Sequence, residues 1–378
     1  MKTLPGVAFY WQNFGPVHLD ELEATQQALE GEARVVGIEL LDRSTAYGWG
    51  RHIGTGFTQI TLYPGGRSSP PSAFDTARKI VRACIEQKCR HVFLCHYQET
   101  HALLAAWWLR MRGVQVYVMS DSKFDDYERK LWREYAKSLY MHPYAGGIAA
   151  SPRSADYLRF LGVPAERIVG GYDTISIGRV RTQAAHSPAP EGMAWEDREF
   201  VCVARLVPKK NHTMLIDAYA RYAARVARPR HLHLCGDGPL RGQLEEAVKE
   251  HGLDEHVTLH GNLAPEQVAA MLGRALALLL PSTEEQFGIS VLEAQAMGLP
   301  VILGENCGAR DGRVRSGVEG FVVEPDNPEG MAWMMELLAR DKAQWQAMAV
   351  AALAQSSGGD ARLFAESVCK LTGYPGAG

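Results

Sequence analysis

Ala275-Leu-Ala-Leu-Leu-Leu280-Pro-Ser282-Thr-Glu-Glu285-Gln-Phe287-Gly288-Ile289-Ser290-Val-Leu-Glu293-Ala-Gln-Ala-Met-Gly-Leu-Pro300 carries the reading of this chain. The six apolar residues 275–280 read as a buried strand, Pro281 and Ser282 end it, and helical spacing of Val291, Leu292 and Ala296 follows Gly288. The segment is therefore a strand, a loop and a helix N-terminus. Such a terminus offers unpaired backbone N–H groups and a partial positive charge, which suits phosphate oxygens, and a glycine there lets a ligand approach the backbone. Glu285 sits in the loop and Glu293 in the first turns of the helix, whose side chains lean toward its N-terminus, so both carboxylates can meet one ligand. Two carboxylates around an anion site suit sugar hydroxyls. Read alone, the same segment is an acidic loop and a helix with a solvated glutamate, a common pattern near helix starts.

A second motif lies upstream, Val203-Ala-Arg205-Leu-Val-Pro-Lys-Lys210-Asn-His-Thr, between the short apolar strand Phe200-Val-Cys-Val203 and a helix. Arg205 and Lys210 in a strand-to-helix loop can both turn toward one diphosphate, Arg as a fork of donors and Lys as a point charge. By itself the pair also fits a solvated basic loop. Between the two motifs the chain alternates regularly. A strand at 231–235, a glycine turn Gly236-Asp-Gly238-Pro, a helix near 239–251, a strand at 257–260, Gly261 and a helix from about Pro265 follow one another. Repeated β-α-β units predict a parallel sheet covered on both faces, with ligands at the carboxyl ends of its strands. Gly236-x-Gly238-x-x-x-Gly242 is one residue too long in its last spacing for a dinucleotide fingerprint, and NAD is discounted.

The first half repeats the alternation. Strands are expected at 7–10, 35–38, 59–62, 91–95, 114–119 and 147–150, with helices at about 18–29, 73–87, up to Arg112, and a long one from about Phe124. The stretch 42–56 is irregular, and Gly65-Gly-Arg-Ser-Ser-Pro-Pro is turn chemistry. Residues 176–197, with Pro188 and Pro190 and no periodicity, read as a linker. Two doubly wound parallel-sheet domains are thus expected, 1–180 and 181–358, with a final helix near 360–371.

At 378 residues, 46% hydrophobic and 22% charged, the chain has room for two sizeable cores. A net charge of −3 and a pI near 6.5, without a basic block, exclude a nucleic-acid polymer as the expected partner. The seven cysteines include no C-x-x-C pair and read as reduced core residues, so no metal site is expected. No run of signal or membrane-spanning length appears, which points to the cytoplasm.

The wording Glu285-x-Phe287-Gly288-x-x-x-x-Glu293-Ala-x-Ala-x-Gly-x-Pro-Val-Ile resembles the signature of glycosyltransferase family 4, and the Arg205-Leu-x-x-x-Lys210 arrangement resembles that family's upstream motif. Tyr157-Leu-Arg-Phe-Leu-Gly162-Val-Pro also resembles its leucine-glycine-x-proline stretch, so the likeness spans the chain. The resemblance implies a GT-B architecture of two Rossmann-like domains, the first binding acceptor, the second binding a nucleotide-diphosphate sugar. It implies that the helix 359–378 packs back on the first domain. Glu285 would meet the donor hexose and Phe287 would stand beside it in the motif. Gly288, Ile289 and Ser290 would offer N–H groups to hexose and diphosphate, and Glu293 would accept the ribose hydroxyls. Gly236 and Gly261 would make room for the nucleoside, and Asn262 and Leu263 would border the base. Gly15, in the first strand-to-helix loop beside His18, fits the family's glycine-rich approach to donor or acceptor.

The implied activity is metal-independent transfer of a hexosyl unit, with retention, from a UDP- or GDP-linked donor to a hydroxyl of a carbohydrate, lipid-linked or small-molecule acceptor, without a separate cofactor. Bacterial polysaccharide, glycolipid or natural-product biosynthesis is the implied setting. Nucleotide-sugar epimerisation, pseudo-sugar coupling and non-catalytic nucleotide-sugar binding stay open as other readings. The chain departs from the family at Gly170-Gly171-Tyr172-Asp173, where many relatives have an asparagine-glycine turn, and at Met119-Ser120-Asp121-Ser122, where many have a histidine. Asp121 reads as a hydrogen-bond acceptor or weak base for an acceptor hydroxyl, or as a helix cap. His96, at a strand end, reads as a satisfied polar residue or as a participant near the acceptor or the transferring hexose. Finally, 127–140 mixes cations with aromatics. Its Leu131, Tyr135 and Leu139 recur at helical steps and predict a core-facing stripe, with peripheral membrane contact on the cytoplasmic face the weaker reading.

Overall fold

The computed structural model describes residues 4–42, 52–65 and 71–376. Most of the irregular stretch 42–56 and of the turn 65–71 lies outside the described residues. The chain divides into two compact units, residues 1–175 with 360–378, and residues 176–359.

The first unit is built on seven parallel strands: β1 Gly6–Trp11, β2 Arg34–Leu41, β3 Thr58–Tyr63, β4 Cys89–Leu94, β5 Gln115–Ser120, β6 Gly147–Ala149 and β7 Ile168–Val169. Their order is β3-β2-β1-β4-β5-β6-β7. Strand alternation assigns each side chain to one of two cores. Ala8 and Tyr10 of β1 join Val92 and Leu94 of β4 on one face, and Val7, Phe9 and Trp11 join Phe93 on the other. On the second face Phe9, Phe93 and Tyr117 stack with ring centroids 4.9 and 4.7 Å apart. The helix Arg362–Thr372 belongs to this unit and sets Phe364 against Phe9 at 5.6 Å.

The second unit holds six parallel strands: β8 Glu199–Val203, β9 Leu232–Cys235, β10 Val257–Gly261, β11 Ala275–Leu280, β12 Val301–Gly304 and β13 Gly320–Val323, ordered β10-β9-β8-β11-β12-β13. β11 is buried along its whole length, which explains its unbroken apolar sequence. In both sheets the order reverses beside the first strand, between β1 and β4 and between β8 and β11. A crevice opens at such a reversal because successive connections leave to opposite faces.

Three expectations change. Residues 176–197 are not a structureless linker: Ser176 caps the helix Ile177–Gln183, whose Ile177 and Val180 are buried within the second unit, as are Ala184 and Ala189. The long helix from Phe124 is a single turn Phe124–Asp126 and a separate helix Leu131–Tyr140. The stripe expected to face the core, Leu131, Tyr135 and Leu139, instead faces solvent, because charged groups occupy the inner side. Strands β7, β12 and β13 are ones the sequence did not single out. All seven cysteines are buried thiols. No helix among the described residues is long and apolar enough to cross a membrane.

Candidate functional site

In the second unit the two motifs meet at the sheet reversal. Arg205 and Lys210 follow β8, Glu285 and Gly288 follow β11, and β8 and β11 are neighbours. Backbone bonds tie the loops: the Lys209 carbonyl accepts from Thr283 N at 2.9 Å and Glu284 N at 3.4 Å, and also from Thr283 Oγ1 at 3.2 Å. Asn211, in the left-handed region at φ 59°, donates its Nδ2 to the carbonyls of Pro281 at 3.2 Å and Pro325 at 2.7 Å. These ties bring Lys210 Nζ into an ion pair with Glu285 Oε2, with both side chains largely shielded at 11% and 13% exposure. Ser282 Oγ donates to the same carboxylate oxygen at 3.3 Å. His212 is buried nearby, and burial, then the Lys210 charge, lowers its pKa to about 4.

Gly288 is the N-cap of the helix Ile289–Ala296, at φ 104°. A Cβ there would stand 2.9 Å from Cys307 Sγ, so the absent side chain is matched by protein rather than by open space for a ligand. That changes the reason for the glycine: the turn demands its φ and the buried thiol demands its size. The strand-to-helix segment after β12 straps the same loop. Cys307 Sγ donates to the Phe287 carbonyl at 3.0 Å, Gly308 N to the Glu285 carbonyl at 3.0 Å and Ala309 N to the Phe287 carbonyl at 2.8 Å. Phe287 and Gly288 are buried, while Ile289, Ser290 and Glu293 are half-buried. The first N–H groups of the helix have no partner within it, as at any helix start.

The loops after β9 and β10 complete this end of the sheet. Gly236 N donates to the Gly261 carbonyl at 2.9 Å, Ala204 N to the Cys235 carbonyl at 3.1 Å and Leu206 N to the Asp237 carbonyl at 2.9 Å. A Cβ on Gly236 would lie 2.0 Å from the Ala204 carbonyl oxygen, so this glycine lets the Arg205 loop pass. Arg205 is half-buried, Asn262 exposed and Leu263 half-buried. The last two follow β10, two strands away from β8. Asn211, Cys307 and Gly308 support the site and escaped the sequence reading. For Cys307 and Gly308 the signal was the glycine-bounded 304–308 segment directly after an apolar tripeptide, and for Asn211 its place in the loop motif just after Lys210.

In the first unit Gly15, His96 and Asp121 follow β1, β4 and β5, three adjacent strands, on the side of the sheet reversal where the carboxyl ends lie. Gly15 is the N-cap of the helix Pro16–Ala28, and its N–H donates to His18 Nδ1 at 2.9 Å. That bond requires an unprotonated Nδ1, in keeping with a His18 pKa lowered to about 3 by burial, then by His96 and His52. His96 is solvent-accessible and sits at φ 57°, unusual for a non-glycine residue. Asp121 does not cap the helices that follow: those positions are Lys123 and Lys130. Its carbonyl accepts from Ser154 Oγ at 2.8 Å. Among the described residues no group of three or more His, Cys, Asp and Glu is arranged to hold a metal ion.

A model of the family described as "Glycosyl transferases group 1" matches residues 187–354, nearly the whole second unit. The chain is 30% identical over 161 residues to alpha-D-kanosaminyltransferase of Streptomyces kanamyceticus, covering 42% of this chain and 41% of that protein. It is 32% identical over 158 residues to a GDP-mannose-dependent alpha-(1-6)-phosphatidylinositol monomannoside mannosyltransferase of Mycolicibacterium smegmatis, covering 40% and 41%. The chain thus spans about two fifths of the length of these curated relatives. Likeness of fold extends further. Sucrose-phosphate synthase from Thermosynechococcus elongatus superposes with a TM-score of 0.75 at 18% identity, over 97% of this chain and 98% of that one. Anabaena HepE, solved with UDP and glucose, gives 0.72 at 17% identity, over 98% and 99%. With its two parallel-sheet units, the chain has a GT-B fold.

Proposed function

We propose that this protein is a glycosyltransferase that moves a hexosyl unit from a nucleotide-diphosphate sugar to an acceptor hydroxyl. The observation that carries the reading is the convergence of Lys210, Glu285 and the Gly288 helix start at the β8/β11 reversal of the unit that the family model covers. Breaking the anomeric C–O bond places negative charge on the departing diphosphate and positive charge on the sugar. On this reading Arg205, Lys210 and the N–H groups opening the helix would stabilise the first, and a carboxylate such as Glu285 would orient the hexose hydroxyls. Protein cations in these positions supply the charge that other transferases take from a metal, so metal independence belongs to this reading. Retention of configuration, by attack of the acceptor hydroxyl on the face the diphosphate leaves, belongs to it too and rests on the resemblance to family 4.

Glu293 is assigned to the ribose hydroxyls, and Gly261, Asn262 and Leu263 to the nucleoside side. The donor is taken to be UDP- or GDP-linked: one relative is GDP-mannose-dependent by name, and one structural neighbour holds UDP and glucose. The acceptor is assigned to the first unit, with Asp121 and His96 at its strand ends. His96 stands two residues past β4, and Asp121 directly follows β5, the strand end at which many members of the family it resembles have a histidine.

The test is a thermal-shift screen of UDP-, GDP- and ADP-sugars on the wild type and Lys210→Ala, followed by assay of free sugar release. A nucleotide sugar that raises the Tm of the wild type, less that of the variant, and is slowly hydrolysed supports the reading. No shift with any donor at millimolar concentration would overturn it, and shift without turnover across acceptors would make the protein a binder.

A further inference from the structure

The helix Leu131–Tyr140 is mounted inside out. Its inner side carries Glu134, 2% exposed, and Lys137, 16% exposed, joined at 2.8 Å. Tyr157 donates to the other oxygen of Glu134, Arg129 donates to Tyr157 Oη at 2.6 Å, and the Arg129 guanidinium lies 4.2 Å from the Tyr157 ring centre. Lys123 and Asp126 form a further buried pair in the turn just before the helix. Rolling the helix over would strip these buried charges of their partners, so the ion-pair network fixes which side faces out.

The outer side is apolar. Leu131, Trp132, Tyr135 and Leu139, at 71%, 67%, 73% and 51% exposure, lie within one arc of the helix. Phe124 and Phe160 stand nearby in an edge-on pair at 5.3 Å, also exposed. A soluble unit gains nothing by hydrating such a face, and burying it requires a partner. The residue types select the partner. Trp132 and Tyr135 have apolar bodies with polar tips, as side chains at a lipid–water boundary do. Lys130 and Arg133 are exposed with no ion-pair carboxylate among the described residues, and Arg133 leans over the Trp132 ring at 5.2 Å. Glu128 is the exposed acid of the same segment; Asp125 is bound to Arg153.

We infer that this face is a docking surface for a bilayer containing anionic phospholipid, with the helix lying in the plane of the surface, its aromatic and leucine side chains among the upper acyl chains and its two cations at the headgroups. The inference concerns the first unit alone and stands or falls independently of the donor site.

The test uses the full chain with vesicles of phosphatidylcholine, alone or mixed with phosphatidylglycerol. Wild type is expected to co-sediment with the anionic vesicles more than with the neutral ones. Leu131→Ser with Trp132→Ser should weaken this about tenfold or more, and Arg133→Gln about fivefold, with unchanged thermal unfolding. Brominated lipid should quench wild-type tryptophan fluorescence, and Trp132→Phe should abolish the quenching while keeping the binding. That measurement does not depend on the double variant folding. Absent binding, binding indifferent to lipid charge, quenching retained in Trp132→Phe, or a patch variant that dissolves a self-associated form without affecting vesicle binding would each overturn the proposal, the last by assigning the face to a second copy.

Discussion

Lys210 and Glu285, 75 positions apart in sequence, form an ion pair at the carboxyl ends of β8 and β11. Each charge is thereby neutralised while shielded from water. Diphosphate oxygens and Glu285 compete for the same ammonium, so donor binding on this reading exchanges one anion for another at Lys210 and frees the carboxylate for hydroxyls.

Glu285→Gln separates the two roles. The ammonium loses its competitor, so affinity for the free nucleoside diphosphate should hold or rise, while turnover falls by roughly a hundredfold or more as the charged group beside the hexose is lost. Titration calorimetry with the diphosphate and a turnover assay on the same preparation check this. Weakened diphosphate binding would contradict the exchange.

Lys210→Ala should act in the opposite sense. Loss of one charged hydrogen bond to the diphosphate is worth about 1.5–3 kcal/mol, roughly ten- to a hundredfold in affinity. The shielded Glu285 would also be left without this cation, so the unliganded protein should unfold at lower temperature, and Lys210→Ala with Glu285→Gln should recover part of that loss. Calorimetry of the double-mutant cycle reads the coupling directly.

Gly288→Ala meets two obstacles, a φ of 104° and a contact of 2.9 Å with Cys307 Sγ. The strained backbone alone costs on the order of 1–3 kcal/mol. Adding Cys307→Ala should relieve the contact and leave the backbone cost, so the double variant should be more stable than the sum of the single effects predicts. Additivity in denaturant unfolding would show that the thiol contact is immaterial.

Glu21 gives a pH dependence in the first unit. It is fully buried, one oxygen accepts from Thr174 N at 2.9 Å and Thr174 Oγ1 at 3.2 Å, and the other, Oε2, has no hydrogen-bond partner among the described residues. Burial raises its pKa from 4.5 to about 8. The folded state therefore holds a proton that the unfolded chain releases: the group's contribution is fully present below pH 4.5 and is lost as pH rises through 8. The loss amounts to a few kcal/mol, at about 1.4 kcal/mol per unit of pKa shift. Glu21→Gln should flatten the fall in Tm between pH 5 and 8, measured by calorimetry in matched ionic strength. An unchanged slope would rule out Glu21 as its source.

The parallel sheets and the doubly wound class were legible because β11 is unbroken Ala and Leu and because glycine turns separate apolar strands at regular spacing. The loops after β8 and β11 were legible as a candidate site because cations, glycine and carboxylates cluster just beyond strand ends. The outward face of Leu131–Tyr140 was not, since periodicity gives the angular position of apolar residues but not the side toward which the rest of the molecule lies. Here Glu134, Arg129 and Tyr157 decided it, and they are brought together from separate elements.

Local sequence, then, determined most of the strands and helices and which residues stand at the ends of β8 and β11, because hydrophobic period and turn chemistry act over a few residues. Tertiary structure alone decided that β8 lies against β11 and so pairs Lys210 with Glu285, that Gly288 backs onto Cys307, and that Gly236 yields to Ala204 rather than to open space. Those relations depend on strand order and on side chains packed across distances in sequence that no local pattern encodes.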